Sequence, residues 1–324
     1  MSSVTVTEAP NERELLLSTS PHLQSRWTTK QIMWFVVLAL VPSVISAVLF
    51  FGFAQLLVIA TAVVFAVGTE ALIQYLTKKP IAVADGSAVI TGLLLGLIVP
   101  PNFSLVFTAL GAVFSIGVGK MLFGGLGYNI FNPALVGRAF LQAAFPVAIT
   151  TWTVPQFAVD SVSKATPLAA LKFDGVSTAI SPLIYGNVGG SLGETSALAV
   201  LAGGIFLLVT GVANWRIPAA MTVGLIVFGG GLWLLDSSYP TPLFHFFAGS
   251  FLFGALFMAT DYVSSPITNL GMWIYGLGIS LVLVLIRVFG GLPEGVMYSI
   301  LFMNAFVPLI NRYTRPRIFG EVKS

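Results

Sequence analysis

The chain has 324 residues, of which 56% are apolar and 8% are charged, with a mean hydropathy of +0.95 and a formal net charge of +3. A soluble domain carries about 25% charged residues, so this chain cannot cover a soluble surface and most of it must face lipid or other helices. Cysteine is absent and the only histidines are His22 and His245. This composition excludes disulfides, thiolate chemistry and a histidine-based metal cage. The positive charge lies at the ends of apolar segments, which is typical of membrane topology and not of nucleic-acid binding.

Ten apolar segments predict transmembrane helices, because about 20 apolar residues cross the hydrocarbon core of a bilayer. The predicted spans are 31–52, 54–76, 86–99, 103–119, 130–149, 191–211, 217–235, 242–260, 269–289 and 295–311. The third span is short and ends at Pro100-Pro101. Short or broken helices commonly build sites inside membranes. We therefore expect an all-α integral membrane protein of about ten helices, some of them short or broken.

Outside these spans lie a polar N-terminal tail (1–30), a long loop (150–190) and a C-terminal tail (312–324). The tail at 1–30 lacks the features of a signal peptide. Basic residues flank both termini and follow spans two, four and six, at Arg13, Arg26, Lys30, Lys78, Lys79, Lys120, Arg216, Arg312, Arg315, Arg317 and Lys323. Cytoplasmic loops carry an excess of Lys and Arg, so we expect both termini in the cytoplasm and 150–190 outside.

The two sets of five spans, 31–149 and 191–311, resemble each other. Each contains a basic residue, a Phe-Gly-Gly-Leu motif and an Asn-containing helix in the same order: Lys120, 123–126 and Asn132, then Arg287, 289–292 and Asn304. An odd number of spans inverts the second copy, so we expect two inverted five-helix repeats with a site at their interface. Asp85 and Asp261 would form a further related pair.

Several charged residues lie in or beside predicted spans, where a charge costs several kcal/mol and is usually paired or functional. They are Glu70, Asp85, Lys120, Arg138 and Asp261. Two interpretations of Asp85 and Asp261 stay open, because an Asp at such a position caps a helix or binds an ion, and one residue can do both. Together with Glu70, which lies near the membrane interface, they are the candidates for an ion pathway.

The segment 120–138 combines glycine, asparagine, proline and arginine at a membrane edge. Glycine lets the backbone approach a ligand closely, and Pro133 frees a backbone carbonyl in the preceding turn. Asparagine side chains both donate and accept hydrogen bonds. Such a segment suits a polar planar ring better than a bare ion, and its candidate residues are Asn129, Asn132 and Arg138.

Three motifs, in chain order, resemble the RnfD subunit of the Rnf electron-transport complexes and the related NqrB subunit of the sodium-pumping NADH:quinone reductases. They are the DGSAVITGLLL stretch that begins at Asp85, the NIFNPA run at 129–134 and the SKATPL loop at 163–168. The resemblance runs from about residue 20 to 315, and the chain length favours the Rnf branch of this family. It implies a bacterial inner-membrane protein whose partners are other membrane, flavin and iron–sulfur subunits. Their complex would couple electron transfer between ferredoxin and NAD to Na⁺ or H⁺ translocation.

The resembled family also carries FMN, joined to a threonine through a phosphoester. Its flavin transferase recognises Asp, two variable residues, Ser or Thr, usually Gly, and then Ala-Thr. Asp160, Ser163, Ala165 and Thr166 match this pattern, and Lys164 departs from the usual Gly. By composition alone this stretch is an ordinary loop, so the assignment of FMN to Thr166 comes from the resemblance.

The resemblance implies a second flavin, a non-covalent riboflavin buried within the membrane. The segment that suits a polar ring supplies its candidate contacts, Asn129, Asn132 and Arg138. Because the chain has no cysteine or haem-type ligand set, any redox role needs an organic cofactor of this kind.

Two other classes of protein stay open on the sequence. A secondary transporter or channel also shows inverted repeats with broken helices, and Asp85 and Asp261 would be its ion sites. A purely structural membrane scaffold would need neither flavin nor charge at membrane depth. The motif at 160–166 distinguishes a flavoprotein from a carrier, since a carrier has no use for it.

Overall fold

The computed structural model describes residues 27–153, 155 and 165–316, and every regular element in these ranges is helical. The α-helices are α1 Thr29–Phe51, α2 Gln55–Leu76, α3 Ser87–Ile98, α4 Leu105–Gly117, α5 Pro133–Ala144, α6 Pro146–Thr150, α7 Pro167–Ala169, α8 Ile180–Tyr185, α9 Ala197–Val209, α10 Arg216–Leu235, α11 Pro242–Phe247, α12 Phe251–Phe253, α13 Asn269–Phe289 and α14 Val296–Thr314. Single 3₁₀ turns occupy Val83–Asp85 and Met121–Phe123, and π turns at Ala170–Asp174 and Gly254–Met258 extend α7 and α12.

Five helical segments are long and apolar enough to cross a membrane: Thr29–Phe51, Gln55–Leu76, Leu105–Phe123, Arg216–Leu235 and Asn269–Phe289. The short third span is present as α3, with 12 residues. The predicted span 130–149 is divided at Phe145, and 242–260 is divided between Phe247 and Phe251. The prediction of an all-α integral membrane protein with short and broken helices is confirmed, whereas ten spans in two repeats stay a prediction.

Polar side chains set where many of the helices begin. Thr28 accepts the Gln31 N–H ahead of α1, and Asn132 accepts two backbone N–H groups ahead of α5, where Pro133 has no N–H to satisfy. The same role falls to Thr166, Ser196, Thr241 and Thr268 for α7, α9, α11 and α13. Water cannot satisfy free backbone groups in the hydrocarbon core, so these caps decide where a helix can start inside the protein.

The helices of the two halves contact one another in a similar order. In the first half α2 packs on α4 and α4 on α5, and in the second half α10 packs on α13 and α13 on α14. Contacts between α1 and α9, and between α5 and α14, join the halves. This order agrees with the two-repeat hypothesis and places the junction of the halves in the middle of the bundle.

The bundle has two faces, which are distinguished by which helix ends meet there. We call the near face the one where α1 begins, with Trp34 close to Gly86, and where the end of α14 meets the start of α13 through Asn311 and Ile267. At the opposite, far face, the start of α2 meets the loop after α3 through two Gln55–Asn102 hydrogen bonds of 2.8 and 2.9 Å.

The long loop after α6 begins at the far face, because Thr153 donates to the Pro101 carbonyl. The near face holds the ends of α1 and α14 that are closest to the chain termini. This arrangement agrees with the prediction that the termini and residues 150–190 lie on opposite sides. Which face is cytoplasmic stays a prediction.

Glycine brings α3 directly onto the backbone of α2. A Cβ atom at Gly92 would lie 2.5 Å from the Val63 Cα atom and 2.8 Å from the Ala62 carbonyl oxygen. Small residues are the usual means of close helix approach in membranes, where lipid supplies no hydrophobic drive for helix association. The short helix α3 is therefore held by close contact with its neighbour.

We predict that Gly92→Ala lowers stability by about 1–3 kcal/mol, because the added methyl group meets backbone atoms that cannot rotate away. The matched control is Gly68→Ala on α2, where an added Cβ meets nothing within 4 Å. The control should keep or slightly raise the thermal midpoint, since Ala is the better helix former. The measurement is the thermal midpoint in detergent, and equal midpoints for the two variants would contradict the packing described.

Candidate functional site

Lys120 is buried at the near face, with 2% of its surface exposed, and two oxygen atoms hold it. Its Nζ atom lies 2.6 Å from Glu70 Oε2 and donates to Ser87 Oγ at 2.6 Å. Glu70 also accepts a hydrogen bond of 3.1 Å from Gln74. Asp85 Oδ1 accepts from the N–H and the hydroxyl of Ser87 at 2.9 and 2.8 Å. A continuous chain of polar contacts therefore runs from Glu70 to Asp85.

This geometry refines what the sequence indicated for two of the ion-pathway candidates. Glu70 is 2% exposed and ion-paired with Lys120, so its side chain is inside the protein. Asp85 lies one residue before the N-cap of α3 and accepts the first N–H of that helix. Its position is therefore that of a helix-capping residue.

Ala248-Gly249-Ser250 resembles Asp85-Gly86-Ser87 in local geometry. In both, a glycine with positive φ, +68° at Gly249 and +86° at Gly86, precedes a serine at the start of a short helix. Asp261 follows the end of the second of these short helices and accepts from the Ser264 hydroxyl at 2.7 Å. The pairing of Asp85 with Asp261 as related positions of two repeats stays a prediction.

A small cavity of 80 Å³ lies at the near face, between the two halves. Its polar lining includes Ser87, Lys120, Asn129, Asn132 and Asp261. Ligand pockets for drug-sized molecules occupy about 300–1,000 Å³, so this cavity has room for water or a small ion and not for a flavin ring as it stands. Within the described ranges no group of three or more His, Asp or Glu side chains could hold a metal ion.

Asn132 connects the two halves at this cavity. Its side-chain oxygen accepts from the N–H groups of Ala134 and Leu135, and its Nδ2 atom donates to the Met258 carbonyl at 3.2 Å. Asn129 donates to the Phe131 carbonyl in the loop that precedes α5. Both amides are thus positioned by the start of α5, and they face the near cavity.

The far face has its own buried cation, Arg287, with 1% of its side chain exposed. Its guanidinium donates to the His245 and Ala248 carbonyls at 2.7 and 3.1 Å, and to Glu294 Oε1 at 3.1 Å. Glu294 also accepts the N–H groups of Ser250, Gly295 and Val296. One ion pair therefore joins the end of α11 and the starts of α12 and α14 to α13.

A larger cavity of 460 Å³ opens at the far face, within the range that small-molecule sites occupy. It is lined by aromatic side chains at Trp152, Phe173, Phe247 and Tyr298, and by the charged groups Arg138, Glu194 and Glu294. Ala165 and Thr166 line the same cavity. Arg138 is consequently separated from Asn129 and Asn132, with which the sequence grouped it, and the three residues do not surround one site.

Thr166 is half-exposed and begins a short helix. Its hydroxyl oxygen accepts the Ala169 N–H at 3.2 Å. Behind it, Leu168 packs into a small apolar cluster with Leu183 and Phe244. The motif residues Asp160 and Ser163, and Lys164, which departs from the motif, lie outside the described residues.

Lys172 anchors the segment that carries Thr166. Its ammonium group donates to the carbonyls of Ile286, Arg287 and Leu292 at 3.3, 2.9 and 3.0 Å, at and just beyond the end of α13. Free carbonyls at a helix C-terminus attract a cation. Partial burial lowers the pKa of Lys172, because desolvation disfavours the charged ammonium group. Thr166 is therefore presented from a segment docked on the bundle.

A sequence model of the NQR2, RnfD, RnfE family matches residues 16–320. The chain belongs to this family. The D subunit of the Na(+)-translocating ferredoxin:NAD(+) oxidoreductase complex of Acetobacterium woodii is 44% identical over 318 residues, covering 97% of this chain and 98% of the relative. The corresponding subunit of a proton-translocating complex from Clostridium ljungdahlii is 42% identical over 319 residues, covering 94% and 96%. The D subunit of the Cronobacter sakazakii ion-translocating oxidoreductase complex is 36% identical over 345 residues, covering 94% and 99%.

These comparisons confirm the resemblance that the three motifs indicated. The sequence did not indicate Glu194 and Glu294, which pair with Arg138 and Arg287 at 3.4 and 3.1 Å. Each of these acids comes a few residues before a helix start, where a carboxylate is usually interpreted as a cap. Glu294 does cap α14. Its ion pair with Arg287 could not be predicted from the sequence, because it depends on how α13 packs.

We predict that Lys120→Met or Glu70→Leu alone lowers stability by about 3–5 kcal/mol, because each leaves a buried charge without its partner. The double variant should recover most of that loss, since apolar groups of similar volume often replace a buried ion pair without net cost. Thermal midpoints of the four proteins in detergent give the coupling. Additive losses in the double variant would show that the two side chains do not act as a pair.

We predict that Lys172→Met weakens the docking of 165–174 by about 1–2 kcal/mol, because it removes hydrogen bonds from a charged donor and keeps the apolar stem. Hydrogen exchange of these amides should accelerate while exchange in α13 changes little. Lys78→Met, at an exposed lysine of the near face, is the matched control. Unchanged exchange in 165–174 would mean that Lys172 does not hold this segment.

Proposed function

We propose that this chain is the membrane flavoprotein subunit of an Rnf-type complex that couples electron transfer between ferredoxin and NAD to translocation of Na⁺ or H⁺. The family match over 16–320 and relatives named as the D subunits of such complexes support this proposal. The names of the relatives include both a Na⁺ and a proton translocator, so either ion fits. The chain would work only with other subunits of its complex.

The observation that carries the redox part of the proposal is the position of Thr166 at the rim of the far cavity. Thr166 is half-exposed and its hydroxyl oxygen accepts a hydrogen bond from Ala169, which leaves the O–H group to react when a phosphoester to FMN forms. A flavin transferase would attach the FMN by recognising Asp160, Ser163 and Ala165 ahead of it. The link fixes the phosphate, and the ring does not have to be held by affinity alone.

The far cavity fits an isoalloxazine ring by size and by lining. Its 460 Å³ lies in the range of small-molecule sites, and aromatic rings such as Trp152 and Tyr298 offer stacking surfaces. A bound flavin supplies one- and two-electron transfer, which no side chain of this chain can provide. The residues of the cavity would exclude water and orient the ring, and the anchored segment at Lys172 would keep Thr166 at the rim.

The second flavin fits less well. Asn129 and Asn132 have the chemistry to bind a riboflavin ring, but the near cavity beside them measures 80 Å³ and Arg138 faces the other cavity. Binding in the near cavity would require the segment at 260–263 or the start of α1, which form the cavity wall, to move outward.

The ion-pathway candidates Asp261, Glu70 and Asp85 lie together at the near face. Asp261 lines the near cavity beside Lys120, whose ion pair and hydrogen bonds lead on to Glu70 and Asp85. We propose this face as the cytoplasmic one, with residues 150–190 external in a bacterial inner membrane, because the basic residues of the sequence cluster there. A secondary transporter would share these charges, but the family match and the position of Thr166 favour the flavoprotein.

The test is covalent flavin on the full-length chain produced together with its flavin transferase. We predict that wild-type protein fluoresces in a denaturing gel and that Thr166→Ala stays dark, because a phosphoester needs the hydroxyl oxygen. Thr166→Ser should retain part of the signal. Thr166→Ala also removes the cap of α7 and should lower stability by about 0.5–2 kcal/mol, whereas Thr166→Ser keeps that cap.

Thr150→Ala is the matched control, since Thr150 lines the same cavity and its hydroxyl donates to the Pro146 carbonyl. This variant should keep the full fluorescence. A bright Thr166→Ala band would identify another attachment residue. A dark wild-type band, with no FMN-sized mass added to the chain, would refute the covalent flavin and point to Lys164 as the departure that matters.

A further inference from the structure

Arg138 is a buried cation, and most of its hydrogen-bond donors have no acceptor among the described residues. Its side chain is 9% exposed, and its guanidinium makes a single hydrogen bond within the part of the chain that the structure describes, of 3.4 Å to Glu194 Oε1. A guanidinium has five N–H donors. Arg287, the comparable buried cation of the far face, makes three shorter hydrogen bonds. Arg138 lines the far cavity, so its remaining donors are available to a molecule bound there.

Glu194 is held firmly beside Arg138. Its side chain is 7% exposed and accepts a short hydrogen bond from the Ser191 hydroxyl. The loop that carries it is joined to the end of α3 by backbone hydrogen bonds from Leu192 to Val99 and from Gly193 to Leu97. The carboxylate therefore cannot move far toward or away from Arg138.

The other acid of the cavity is already engaged. Glu294 accepts from Arg287 and from three backbone N–H groups, so its charge is compensated locally. Lys172 points its ammonium group at carbonyls of α13 and the loop after it. Among the charged side chains described around this cavity, Arg138 is thus the one with donors left for a bound anion or carbonyl.

We propose that Arg138 is the residue that stabilises the reduced state of the flavin on Thr166, with Glu194 setting how strongly it does so. This inference rests on the proposed function. The guanidinium would donate to the carbonyl and nitrogen edge of the ring, where negative charge accumulates on reduction. In a cavity that excludes water, such a charge-assisted contact is stronger than in solution.

The electron balance of the step is simple. A neighbouring iron–sulfur or flavin centre of the complex would supply one electron, no bond would break, and one negative charge would be added in the cavity. Arg138 would compensate this charge without giving up its proton. Once the electron passed to the next centre, Glu194 would again be the main partner of Arg138.

The experiment is a redox titration of the covalent flavin in the full-length chain, produced with its flavin transferase and freed of unbound flavin. Arg138→Met should lower the ratio of reduced to oxidised flavin at a fixed potential at least about tenfold, a negative shift of about 59 mV for one electron. Arg138→Lys, which keeps the charge, should shift it less. Glu194→Gln should raise the ratio, because it removes the competing negative charge.

Gln142→Leu is the control, since Gln142 is a neutral residue of α5 that lines the same cavity. It should leave the potential close to that of the wild type. A merely structural role of Arg138 predicts lower stability and an unchanged potential, so thermal midpoints are measured in parallel. If Arg138→Met does not yield folded protein, the opposite signs expected for Arg138→Lys and Glu194→Gln still decide.

The inference is overturned if Arg138→Lys and Glu194→Gln both leave the potential unchanged, or if Glu194→Gln lowers it. It is also overturned if folded Arg138→Met lacks covalent flavin, because Arg138 would then act on attachment and not on the ring. The proposed function fails separately, when the wild-type chain itself carries no covalent flavin. The two failures are therefore distinguishable in one set of samples.

Discussion

A helix that ends inside a membrane protein leaves N–H and C=O groups that water cannot reach, and this chain ends several helices there. Side chains of buried ion pairs supply many of the hydrogen bonds that water would otherwise supply to these groups. At the near face Lys120 bridges Glu70 on α2 and Ser87 at the start of α3. At the far face Arg287 donates to the His245 carbonyl of α11 and to the Ala248 carbonyl just after it, while Glu294 accepts N–H groups at the starts of α12 and α14. These pairs hold the starts of α3, α12 and α14, which border the two cavities.

The two ion pairs occupy related places in the two halves, which explains why so few charges are enough for a chain of this length. Each basic residue comes shortly before a Phe-Gly-Gly-Leu motif, and each holds the start or end of a short helix that crosses only part of the bundle. A cation that was not compensated at this depth would cost several kcal/mol. Among the described residues, the third charged pair, Arg138 with Glu194, is bound more loosely, and both of its side chains line the larger cavity.

Hydropathy predicted the helical membrane fold well because each span is a local property of about 20 residues. Hydropathy could not predict the ion-pair partners, because they are far apart in the chain. Glu70 and Lys120 are 50 residues apart, and Arg138 and Glu194 are 56 residues apart. The sequence also grouped Asn132 with Arg138, which are six residues apart. On a helix six residues advance about 9 Å along the axis, enough to place the two side chains in different cavities.

Because Asn132 and Arg138 line different cavities, α5 sets the spacing between the two cavities. Its start lines the near cavity and its middle lines the far one, so one rigid helix fixes both the distance and the angular phase between the two compartments. A single residue inserted between Asn132 and Arg138 would turn the guanidinium by about 100° around the helix axis, away from Glu194. Insertions and deletions among relatives of this chain should therefore be absent from the first two turns of α5.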